Sequence, residues 1–193
     1  MDYIAFIAGL PEIAWDDRKL SLTVAEFREQ LKDYISGRDE RLIDLFFLPN
    51  DNAQVLRLLR KQEPDGALST VYPVKLLEDE IQEPDKTIPA YLREFITDFK
   101  EEHLRYDVSP ENVLSWMYYD YMMKADNQLV KRYAEFSMNL KNLVTALNAR
   151  KYGMEVAKEV IGSNEFAVAL RTSERFRFDP GLSLCRKSDC FDG

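Results

Sequence analysis

The chain has 193 residues, enough for one substantial domain or two small lobes sharing a core, and at this length folding buries about 70% of the surface the unfolded form exposes. Its 46% hydrophobic, 31% charged and 12% aromatic residues describe an ordinary folded protein rather than a disordered one. Lys and Arg total 26 against 34 Asp and Glu, and a formal charge of −8 argues against gripping a phosphate backbone, so nucleic acid is not an expected partner.

Tyr3 to Leu10 is a short apolar run stopped by Pro11, and its length suits helix and strand equally. Thr23 and Glu26 stand at capping-box spacing, which predicts a helix with Val24, Phe27, Leu31 and Tyr34 on its apolar face and Gly37 as its left-handed terminator. A shorter helix is expected over Asp39–Phe47, closed by Pro49. Asn50 or Asp51 then caps a segment running to Gln62. Glu63 to Tyr72 has loop character, Pro73 suits the first turn of a helix to Ile81, and Gln82 to Thr87 is a second break. These breaks make 63–87 the candidate boundary between lobes.

Pro89 opens a helix on which Leu92, Ile96, Phe99, His103 and Tyr106 recur three and four residues apart. Ser109-Pro110-Glu111 is a helix start, with a capping hydroxyl, a proline at the first position and an acid facing the positive end of the dipole. A long helix follows from Asn127 to Tyr152, ended by Gly153. Its Leu129, Tyr133, Phe136, Leu140, Leu143 and Leu147 are spaced 4, 3, 4, 3, 4, a heptad seam that predicts the buried side. Short helices are expected at Glu155–Ile161 and Glu165–Leu170. No alternating β-branched series with hairpin turns appears. The expected fold is all-α, a helical bundle over 1–180 with candidate lobes 1–80 and 88–172, followed by an irregular tail at 181–193.

Few residues are suited to bond chemistry. There is one histidine, and the two cysteines, Cys185 and Cys190, lie far from it, whereas zinc sites take three or four such ligands. Neither glycine-rich phosphate cradle occurs among the seven glycines. His103 reads as a histidine packed on a helix face with one ring nitrogen bonded, and Lys100 stands where a di-iron Glu-x-x-His motif needs an acid. Glu78-Asp79-Glu80 and Glu101-Glu102 read as solvated acidic faces. The cysteines read as reduced thiols. No cofactor, metal or catalytic residue is expected.

Trp116 to Met123 is the most unusual stretch, apolar or aromatic nearly all round the helix. It fits a helix sandwiched between two others, or a partner-contact surface formed by Trp116, Tyr118, Tyr119 and Tyr121. An internal echo also stands out: Phe46, Asn52, Arg60 and Lys61 match Phe136, Asn142, Arg150 and Lys151 at constant offset.

The opening Asp2-Tyr3-Ile4-Ala5-Phe6-Ile7-Ala8-Gly9-Leu10-Pro11 resembles the start of a small, uncharacterised bacterial family, as do Asn52–Leu59 and Asn142–Lys151. Members of that family are typically encoded beside the subunits of a vacuolar-type (archaeal-type) ATPase. The ending Asn142 to Gly153 is similar to helices of that ATPase's C subunit, called d in eukaryotes, an all-helical adaptor between rotor ring and central stalk. The segment after Leu182 departs from the family pattern. The resemblance implies a non-catalytic adaptor or accessory subunit whose partners are stalk or rotor subunits, with Asn142 pinning a helix crossing and Arg150 or Lys151 satisfying last-turn carbonyls. The alternative is a soluble hydrolase or ligand-binding protein that uses Trp116–Met123 as a pocket wall. No run reaches the roughly 18–20 apolar residues of a bilayer span, and the acidic start is unlike a secretory leader, so a cytoplasmic place without direct membrane insertion is expected.

Overall fold

A Thr-x-x-Glu box opens the helix Val24–Lys32: Thr23 Oγ1 accepts the Glu26 N–H at 3.2 Å and Glu26 Oε2 accepts the Thr23 N–H at 2.8 Å. It is α2 of ten helices in a computed structural model that describes residues 3–16, 18–19, 21–104 and 107–172. No strand occurs among these residues, and the fold is all-α. Tyr106, both cysteines and the expected tail at 181–193 lie outside the described residues.

The described residues fall into two compact units, one ending at Ile96 and the next starting at Thr97. The division lies within α6 (Ala90–Lys100), and the stretch 63–87 belongs to the first unit.

In the first unit the ambiguous opening run is helical, α1 (Tyr3–Gly9), and Phe6 packs against the rings of Phe27 and Tyr34. Gly37 does not terminate α2. That helix ends at Lys32, and Gly37 is the first residue of α3 (Gly37–Asp44), with Ser36 as its cap. Pro49 likewise opens rather than closes: it is the second residue of α4 (Leu48–Leu59), where a missing N–H costs nothing. Asp51 and Asn50 therefore lie inside α4, not at its cap.

Their side chains hold the loop that follows. Asp51 is fully buried and accepts the N–H groups of Val71 and Tyr72, both at 2.9 Å. Asn50 donates to the Ser69 carbonyl, Gln54 accepts the Asp65 N–H, and Arg57 donates twice to the Glu63 carbonyl. Arg28 of α2 adds an ion pair to Asp44 at 2.9 Å, a bond to the Thr70 carbonyl and a stack on Phe47. After the loop comes α5 (Val74–Gln82). Glu80 is buried there rather than on a solvated acidic face, because its carboxylate accepts the N–H groups of Asp85 and Thr87. Tyr91, Leu92, Phe95 and Ile96 of α6 complete the core, and Tyr91 donates to Asn52 Oδ1 at 2.8 Å.

The second unit holds α7 (Pro110–Met123), α8 (Gln128–Lys151), α9 (Val156–Glu159) and α10 (Glu165–Thr172). Ser109 and Asn127 cap α7 and α8 through their side-chain oxygens, and Gly153 leaves α8 at φ +68°. Gly162, at φ +82°, lies against Trp116 and Met138, where an added Cβ would meet both at 3.1 Å.

Gly162→Ala forces a side chain into the left-handed region and into two neighbours, and is expected to lower stability by about 1–3 kcal/mol in urea titrations. Gly37→Ala, at an open helical position, should leave stability unchanged or raise it by about 0.5 kcal/mol. Equal effects would contradict the assigned backbone.

Burial raises the Asp51 carboxyl above its ordinary range, with the two N–H donors opposing. The folded chain thus holds this proton more readily than the unfolded one. The stability Asp51 contributes is full below the unfolded value of about 3.9 and is lost as pH rises through the raised folded value. The advantage of the natural chain over Asp51→Asn is therefore expected to shrink as pH rises through that window, and an advantage that grows would contradict it.

Candidate functional site

The long helix α8 has two apolar faces on opposite sides. Val130, Ala134, Met138, Asn142, Ala146 and Ala149 point inward, none more than 2% exposed. Small side chains let neighbouring helices approach closely. Ala146 joins Val160, Ala167 and Leu170 in a core cluster that Leu143 and Val156 cover. Asn142 donates to the Ile161 carbonyl at 2.8 Å and accepts the Ile161 N–H at 2.9 Å. Arg150 donates to the Leu170 carbonyl, in the last turn of α10. Asn142 thus pins the extended link before α10, and the carbonyl that Arg150 satisfies belongs to another helix.

The heptad seam is on the other side. Leu129, Tyr133, Phe136, Leu140 and Leu147 are exposed, together with Val144, over a range from 37% at Leu147 to 74% at Leu129. Only Leu143 of the expected seam turns inward. The expectation that the seam is buried is corrected, and the reason is steric: the face opposite it carries the small residues that a close helix crossing needs. The missed signal was the string Val130, Ala134, Met138, Asn142 and Ala146, each four residues after the last. On the exposed side α8 carries Arg132 and Lys151, and the whole helix has five basic residues against one acidic one, Glu135.

The residues read as a partner contact lie on α7, which is covered on nearly all sides. Tyr118 is buried beside Met122, while Trp116, Tyr119 and Tyr121 are half-buried. Burial, with Tyr119 and Tyr133 adding, pushes the Tyr118 hydroxyl well above the ordinary phenol range, and Tyr119 is raised for the same reason. Tyr118 and Tyr119 rings meet at 5.1 Å. Across from α7, Lys141 donates to Ser115 Oγ at 2.7 Å, and burial lowers its ammonium group below the usual lysine range.

Trp116 alone of the four lines a cleft of about 490 Å³, shared with His103, Asn112, Lys158 and Arg171. Asn112 donates to Glu159 at 3.2 Å, and Arg171 donates to the Val160 and Gly162 carbonyls, both at 2.7 Å. His103 is not packed on the α6 face. It follows the helix with an exposed ring whose Nδ1 is 3.2 Å from Glu101. The first unit has its own apolar cleft of about 290 Å³, lined by Leu10, Ile13, Leu22, Val24, Phe27 and Phe47.

Among the described residues no group of three or more His, Cys, Asp or Glu is placed to hold a metal ion, and no helix is long and apolar enough to cross a membrane. No curated protein and no solved structure matches the chain. A family model described as "Protein of unknown function (DUF2764)" matches residues 1–191, and the chain belongs to that family.

Proposed function

We propose that this protein is a non-catalytic helical adaptor, an accessory subunit of a vacuolar-type ATPase. The observation that carries the docking part is the outer face of α8, a row of six large apolar side chains exposed along one side of a 24-residue helix. Monomeric proteins seldom expose so long an unbroken apolar row unless a partner covers it. The ATPase assignment rests on the similarity of Asn142–Gly153 to C-subunit helices. In this reading the inward Asn and Ala residues make the scaffold stiff, and the outward row transmits position by contact.

The test is recovery of the protein from gently solubilised membranes of its own cells. Identified ATPase subunits are expected with the natural chain and in much lower yield with Phe136→Glu, whose exposed side chain can change without unfolding the core. Recovery of the natural chain free of every ATPase subunit would contradict the reading.

The Trp116 cleft favours a second reading, a small-ligand-binding protein, because an indole, two cationic side chains and an amide share its lining. With Trp15 replaced by Phe, Trp116 is the single tryptophan. A shift of its emission on adding small-molecule extract supports this reading, and no shift counts against it.

A further inference from the structure

The outer face of α8 has a shape and a charge, and together they describe its complement. Leu129, Tyr133, Phe136, Leu140, Val144 and Leu147 recur at the 3.6-residue period of an undistorted helix, so the row runs straight for about 27 Å. It presents on the order of 600 Å² of apolar surface, at the top of what one monomer patch usually shows and close to one side of a standard interface. A straight, narrow row of this length fits another helix laid along it.

Charge narrows the occupant. Five basic residues and one acidic residue make α8 cationic within a chain of net −8. Arg132 and Lys151 are exposed on the row's side of the helix, whereas Glu135 points roughly 140° from the row's axis. Lys141 and Arg150 are taken up by Ser115 and the Leu170 carbonyl, so a second copy laid along the row would set Arg132 and Lys151 against the same two cations. An anionic bilayer would suit the charge, but the opposite side of α8 is held in the core, which leaves too narrow a row to sink among lipid chains.

Resting on the docking reading above, we infer that the outer face of α8 binds an amphipathic α-helix whose apolar stripe is flanked by acidic side chains. Its stripe covers Phe136 and Leu140 at the centre, and its carboxylates lie beside Arg132 and Lys151. The apolar row supplies affinity and the charges select the partner.

The experiment uses the full chain and two synthetic helical peptides of about 20 residues with the same leucine stripe, one flanked by Glu and the other by Lys. Fluorescence anisotropy is expected to show roughly tenfold tighter binding of the Glu-flanked peptide, with the difference shrinking at high salt. Phe136→Glu, with its helical circular dichroism unchanged, should weaken that binding by roughly tenfold or more. The double change Arg132→Glu and Lys151→Glu should reverse the preference. Equal binding of both peptides, binding of neither, capture by phosphatidylserine vesicles in place of peptide, or a natural-chain dimer dispersed by Phe136→Glu would each overturn the assignment. Failure here with ATPase subunits still recovered sinks the acidic-helix partner alone. The expected peptide preference with no ATPase subunit recovered sinks the ATPase assignment alone.

Discussion

The carboxamide of Asn142 takes both backbone polar groups of Ile161, and the second unit is built around that pair. The amide is 1% exposed, so losing it would leave two buried backbone groups unpaired, at about 1–3 kcal/mol each. Because the bond fixes the link before α10, it also fixes which side of α8 that helix covers. Ala146 then lies at the crossing with Ala167 and Leu170, where a larger side chain would hold the helices apart. Apart from Val130, Met138 and Leu143, the large apolar side chains of α8 line the outside.

The first unit uses the same device with other residues. A buried polar side chain on α4, Asp51, holds two N–H groups of the returning loop, while Asn50, Gln54 and Arg57 hold three more of its backbone groups. In both units a long helix anchors the irregular chain that follows it, so backbone polar groups find partners without a sheet. The sequence echo between Asn52 and Asn142 does not extend to the bonding: Asn52 accepts from a tyrosine hydroxyl, and Asn142 grips a backbone.

Helix existence and most helix starts were legible from residue chemistry. Thr23, Ser109 and Asn127 sit as caps, and Gly153 ends α8 with positive φ, because these signals act within one turn and need no tertiary partner. Gly37 and Pro49 were misread for the complementary reason: glycine can stand at either end of a helix, and proline marks an end or a first turn equally well. The direction in which α8 faces was not legible. Both its sides are apolar, and a heptad count favours the larger residues, whereas the fold selects by how closely neighbours must approach. Glu80 was misread as solvated because the donors its carboxylate accepts from are the N–H groups of its own following loop, an arrangement spacing does not display. The Trp116 cleft draws on α7, α9 and segments between helices, so no local pattern could reveal it.

The claim that α8 turns its alanines to the core and the row from Leu129 to Leu147 outward is tested most directly by the paired variants Ala146→Leu and Leu140→Gln, compared by thermal unfolding. Ala146→Leu adds apolar bulk at a closed crossing and is predicted to cost about 1–3 kcal/mol. Leu140→Gln removes apolar character from an exposed position and is predicted to change stability by less than about 0.5 kcal/mol. The opposite order, with Ala146→Leu tolerated and Leu140→Gln strongly destabilising, would place the heptad seam in the core and contradict the account.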